Sequence, residues 1–169
     1  MQLTNILTLL TVAGTSFVSA GPVPVARQAG GQVDTSLIPT DFGFKAGDGK
    51  DKVQVGSCTG AANKPIPCDC PPAPDNATFI GDLSTALNQG FFPDPSITVP
   101  INLTRFNDKS DTSAQTNRDR ATAMVQVLQS LSGTKGVGCP GAAFPVLIAQ
   151  QQTGQVGGST ASVGNAGRV

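Results

Sequence analysis

The chain has 169 residues, and its eleven Lys and Arg balance eleven acids, so no net charge steers it toward nucleic acid or an anionic membrane. It contains no His, no Trp and no Tyr, and every acid is Asp rather than Glu. Without His the usual general base near neutral pH is missing, which excludes Ser-His-Asp and Cys-His catalysis and imidazole metal sites; without Trp or Tyr the usual stacking platforms for sugars and bases are absent.

Met1 to Ala20 reads as a secretory signal peptide. An apolar run from Ile6 to Gly14 is followed by small and polar residues, and Val18-Ser19-Ala20 precedes the expected cut. That run is far shorter than the ~20 residues a membrane span needs. Gly21-Pro22-Val23-Pro24 cannot continue a helix. Removing 1–20 leaves about 149 residues, enough for one domain with a core. Residues 21–36, rich in Gly, Pro, Gln and Ala, read as a flexible leader in which Arg27 is a candidate second processing site.

From Leu37 to Gly56 short apolar pieces alternate with Gly, Asp and Lys, and Ile38 and Asp41-Phe42-Gly43-Phe44 are suited to tuck against the body. Asp48-Gly49-Lys50-Asp51 does not match a calcium loop and reads as a solvated turn. Cys58 to Pro74 is dense in Pro and Cys, hence irregular and cross-linked. Pro71-Pro72-Ala73-Pro74 blocks helix. Asp75 then stands where an N-cap belongs, and Phe79, Ile80, Leu83, Ala86 and Leu87 recur at helical spacing, predicting a first helix over 76–89 stopped by Gly90.

Phe91 to Lys109 carries three prolines and reads as an edge segment or loop. A second helix is predicted over 112–131, about 30 Å long, opened by a Thr112-x-x-Gln115 capping box with Asp111 alongside. Its stripe of Ala114, Asn117, Ala121, Met124, Val125, Leu128 and Leu131 is expected to bury against the first helix, and Gly133 and Gly136 end it. Phe144 to Ile148 suits a helical turn or a strand docking on that pair. Residues 153–169 lack periodicity and read as a disordered Gly/Ser/Thr-rich tail without the apolar end of a lipid-anchor signal.

The four cysteines are Cys58, Cys68, Cys70 and Cys139, an even count that in an exported chain argues for two disulfides. A Cys68–Cys70 bridge would close a small strained ring. The pairing Cys58–Cys68 with Cys70–Cys139 is favoured over the crossed alternative, because Cys70 precedes the first helix and Cys139 follows the second, so an antiparallel pair would bring them together. Thiolate metal binding around Cys68-Asp69-Cys70 is disfavoured in an oxidising compartment.

Asn76-Ala77-Thr78 and Asn102-Leu103-Thr104 are N-glycosylation sequons, making Asn76 and Asn102 the candidate modified residues; Asn76 also sits where it would serve the helix start. An Asp pair can act as acid and nucleophile in a glycosidase. Asp108 with Asp111 and Asp48 with Asp51 are the candidates, yet turn formation and helix capping explain both pairs. Arg118 and Arg120 flank Asp119 and read as a solvated helix face. No catalytic, cofactor-binding or metal-ligating residue is assigned.

The run from Asp41 to Pro140 resembles a group of small secreted proteins of filamentous fungi. The resemblance is carried by Asp41-Phe42-Gly43, Ser57-Cys58-Thr59-Gly60, Ile66-Pro67-Cys68-Asp69-Cys70-Pro71-Pro72, Phe79-Ile80, Leu128-Gln129-Ser130-Leu131 and Gly136-Val137-Gly138-Cys139-Pro140. It implies export rather than a mechanism, and the chain has fewer cysteines than a hydrophobin or an elicitin-like sterol carrier.

The sequence therefore predicts a mainly α, two-disulfide domain over 37–152, an antiparallel helix pair with irregular loops and disordered ends. The expected role is a non-enzymatic exported protein acting at the cell wall or at a host or substrate surface. It would have an extracellular or cell-wall partner, no nucleic acid, no membrane anchor and no cofactor. The rival readings are a carrier, which needs an apolar cavity above ~300 Å³ between the helices, and an Asp-based hydrolase, which needs two carboxylates facing each other in a cleft.

Overall fold

The computed structural model describes residues 30–44 and 57–157. The predicted signal peptide, Arg27, the Asp48–Asp51 turn and the tail beyond residue 157 lie outside the described residues.

Among the described residues the polypeptide is mainly α-helical, with four α-helices and one small sheet. Strands β1 (Ser57–Thr59) and β2 (Pro65–Pro67) form an antiparallel ribbon with Cys58 opposite Ile66. Helices α1 (Ala77–Gln89), α2 (Leu103–Phe106), α3 (Ala114–Leu128) and α4 (Pro145–Thr153) follow. The peptide bonds before Pro71 and Pro93 are cis.

Helix α1 begins one residue later than predicted. The Asn76 amide donates to Ala73 O at 2.9 Å, so Pro74 and Asp75 form the turn and Asn76 becomes the N-cap in place of Asp75. Its side chain accepts from Thr78 N and Phe79 N. Gly90 ends the helix in the left-handed region at φ 82°, as a residue without Cβ does readily.

Helix α3 is shorter than predicted at both ends. Ser113, not Thr112, is its N-cap, because the Asp111 carboxylate accepts from Ser113 N at 3.1 Å and fixes a turn ahead of the helix. At the other end Cys139 N donates to Leu128 O at 2.8 Å, taking the carbonyl that a continuing helix would offer to residue 132. Gly138 makes this return possible, since a Cβ there would lie 2.4 Å from that same oxygen. Leu131 consequently sits in a 3₁₀ turn.

The apolar run at 144–148 is the start of α4, with Pro145 at its first positions, where the missing N–H is harmless. This helix corrects the expected two-helix packing: α3 packs most extensively against α4 and only then against α1. With neither Trp nor Tyr to fill volume, Phe supplies the bulk. Phe42, Phe79, Phe106 and Phe144 are all fully buried, together with Leu83, Leu87, Met124, Val127, Leu128 and Leu147. The Phe42 and Phe79 rings meet edge to face at 5.5 Å.

Residues 30–36 fall within the stretch read from sequence as a flexible leader, yet in the fold they lie against α1 and the α2–α3 connection. Val33 is buried and donates its N–H to Ser84 Oγ at 3.1 Å. Asn107 grips the backbone on both sides of Val33: its Oδ1 accepts from Asp34 N at 2.8 Å and its Nδ2 donates to Gln32 O at 3.0 Å. Asn88 Nδ2 donates to Gly31 O, and Lys109 Nζ pairs with the Asp34 carboxylate at 2.8 Å. At the opposite end Gly154 closes α4 at φ 75°, and its carbonyl accepts from Asn117 Nδ2.

Candidate functional site

The cysteines pair as Cys58–Cys68 and Cys70–Cys139, with no free thiol among them. The first bridge staples the β-ribbon across ten residues; the second ties the approach to α1 to the segment after α3 across 69 residues. Cys58, Cys70 and Cys139 are buried. With all four cysteine sulfurs in disulfides, Cys68-Asp69-Cys70 has no thiolate to offer a metal, the reading already disfavoured from the sequence.

The densest polar constellation is the connection between α2 and α3 with the first half of α3. Arg120, expected on a solvated face, is only 3% exposed. The reason is helical phase, since position 120 falls on the same inward side as Thr116, Asn117, Ala121 and Met124. Its guanidinium donates to four acceptors: Phe106 O at 2.9 Å, Asp108 O at 2.6 Å, Asp111 O at 2.9 Å and Asn117 Oδ1 at 3.2 Å. Burial pushes its pKa down from the ordinary arginine value. A planar five-donor fork suits this task, because it ties several carbonyls into one fixed loop.

Arg105 forms the outer layer. Its NH2 donates to Thr116 Oγ1 at 2.7 Å, and it pairs with Asp111 at 3.7 Å and Asp119 at 3.4 Å. Asp119 is also mostly buried, against the solvated-face reading, and accepts from Gln115 Nε2 at 2.8 Å. Arg118 is nearer the expectation: it is part-exposed and reaches Thr153 O at 3.4 Å. Sequence reasoning missed Arg105, Asn107, Lys109 and Thr116. Most of their side-chain partners come from other elements, and the local signals were the Asn102-x-x-Arg105 and Ser113-x-x-Thr116 cap spacings.

The fold brings Asp108 and Asp111 into one connection but gives each a separate structural task. Asp108 accepts from the Ser110 amide and hydroxyl, which hold its carboxyl below the usual range. Asp111 accepts from the Thr116 hydroxyl at 2.6 Å and from Ser113 N, which depress it further. A glycosidase pair needs one carboxyl kept protonated to act as the acid. Both members here are held ionised, so this pair does not supply that acid at neutral pH.

Asn76 and Asn102 are both exposed and both are N-caps. Asn102 Oδ1 accepts from Arg105 N at 2.9 Å and opens α2. The loop context expected for Asn102 is therefore a short helix start.

A depression of about 410 Å³ opens at the surface beside the second disulfide, lined by Ile97, Cys139 and Pro140 together with Gln129, Ser130 and Lys135. It lies outside the α1–α3–α4 interior, where the carrier reading requires its cavity. No family model matches the chain, and neither a curated protein nor a solved structure is found that resembles it. Among the described residues no helix is long and apolar enough to cross a membrane.

Proposed function

We propose that the chain is a small exported, non-enzymatic protein of the fungal secreted type, acting at the cell wall or at a host or substrate surface. The observation that carries this reading is the pair of disulfides in a domain several of whose charged side chains are committed to its own scaffold. Both bridges are intramolecular, as suits an oxidising compartment. Arg105, Lys109, Arg120, Asp34, Asp108 and Asp111 serve caps, turns and internal ion pairs. The Cys70–Cys139 link also supports reading α1 and α3 as antiparallel, since it joins the residues before one to those after the other.

The test is native, non-reduced mass spectrometry of the protein recovered from the culture medium of its own source, followed by co-sedimentation with insoluble fungal cell-wall polysaccharide and with intact host surfaces. The expected result is a ligand-free mass lacking four thiol hydrogens, and depletion of the protein from the supernatant by one of those surfaces. A discrete small-molecule mass that leaves on denaturation would overturn the reading in favour of a carrier. Retention inside the cell would overturn export.

A further inference from the structure

We propose that Asn76 and Asn102 are both N-glycosylated and that each does two jobs with one side chain: Oδ1 caps a helix while Nδ2 carries the oligosaccharide. The proposal rests on export. It goes beyond it by assigning two covalent modification sites and by explaining how the fold tolerates them.

The argument starts from which end of each amide is occupied. Asn76 Oδ1 accepts from Thr78 N at 3.0 Å and Phe79 N at 3.1 Å. Asn102 Oδ1 accepts from Arg105 N at 2.9 Å. Both residues are exposed, and among the described residues neither Nδ2 donates to a protein acceptor. Three other asparagines contrast with this. Nδ2 of Asn88 goes to Ser84 O and Gly31 O, that of Asn107 to Gln32 O, and that of Asn117 to Gly154 O. Asn63 likewise makes no side-chain bond but is followed by Lys64-Pro65, so among the described residues Asn76 and Asn102 are the asparagines that combine an uncommitted Nδ2 with an x-Thr motif.

The chemistry is a group transfer without redox change. Nδ2 displaces the diphosphate of a polyisoprenoid-linked oligosaccharide. One bond forms from Nδ2 to sugar C1, the C1–oxygen bond to the diphosphate breaks, and Nδ2 gives up one proton. The product is still a planar amide whose Oδ1 accepts hydrogen bonds, so the cap survives modification. Thr78 and Thr104, the hydroxyl residues that complete the two acceptor motifs, are exposed as well, and the residue after each Asn is Ala77 or Leu103 rather than Pro.

The experiment is intact-mass analysis, before and after an endoglycosidase, of the chain secreted from a eukaryotic host. It is run once with residues 1–20 and once with the host's own leader in their place, so that failure of export and failure of modification separate. Thr78→Ala and Thr104→Ala remove each sequon but keep the Asn cap; Asn76→Asp and Asn102→Asp remove Nδ2 but keep an oxygen cap. The expected result is two mass steps in the parent, one in each single variant and none in the double, with far-UV melting of the enzymatically deglycosylated parent unchanged. A secreted parent bearing no sugar would overturn the proposal, and a missing step at one Asn would overturn it for that site. Loss of folding on deglycosylation would overturn the claim that the cap is independent of the sugar.

Discussion

An aspartate carboxylate reaches the amide two residues ahead of it with one methylene to spare, and the chain uses that reach repeatedly. Asp34, Asp41, Asp94, Asp108 and Asp111 each accept from the N–H of residue i+2. Glu is one carbon longer and closes this ring poorly, which gives the absence of Glu a structural reading. Asp94→Glu is expected to lower the far-UV melting midpoint more than Asp94→Asn at pH 7, although Glu keeps the charge; the reverse order would show that charge, not reach, sets the choice. Arg120 is the opposite case, a single side chain that many carbonyls depend on. Arg120→Met should destabilise by about 3 kcal/mol in urea unfolding, because it strands several acceptors inside the α2–α3 connection. None of this was visible in the Arg-Asp-Arg run of α3, since adjacent charges look solvated until the helix phase is known.

At the scale of elements, legibility followed length and local chemistry. Helix α1 was readable because Phe79, Leu83, Ala86 and Leu87 repeat over several turns and Gly90 terminates them. Helix α2 is a single turn, too short for any periodicity to register. Helix α4 carries local punctuation, Pro145 at its start and Gly154 at its end, but its glutamines blurred the apolar face. The docking of residues 30–36 was illegible, because Ser84, Asn88 and Asn107 lie 51 to 75 residues away from the atoms they hold. The disulfides bind these elements unequally. On chain-entropy grounds, replacing both Cys70 and Cys139 by Ser should cost about 4 kcal/mol, against about 3 kcal/mol for Cys58 and Cys68, given closed loops of 69 and 10 residues. Equal losses in denaturant unfolding would show that native-state packing, not the loop, dominates.

For the whole molecule, the composition dictates how stability responds to acid. With neither His nor Glu, almost nothing changes charge between pH 5 and 8. Asp34 is lowered to about 2, first by its hydrogen bond from Lys109 and then by Ser36, and Asp94, Asp108 and Asp111 are lowered too. A depressed carboxylate contributes stability that is complete above its unfolded value, near 4, and is lost as pH falls through the folded one. The melting midpoint is therefore expected to stay flat from pH 8 to 5 and to fall only below about pH 4; a clear slope between 7 and 5 would contradict it.

The connection between α2 and α3 and the first turn of α3 together anchor both ends of the described body. Asn107 and Lys109 hold the residues around Val33, while Gly154 rests over Ala114 and accepts from Asn117. Residues 32–34 and Gly154 are thus both tied to the stretch from Asn107 to Asn117, and the order in which the chain is read should matter little to the finished shape. A ring that links residue 157 to residue 30 through a glycine linker, reopened between exposed Thr134 and Lys135, leaves both sulfur bridges and every described helix uncut. Such a permuted chain should melt like the parent in a far-UV scan, which would show that the point where the backbone enters the fold is no part of what holds it together; a clearly lower midpoint would show the opposite.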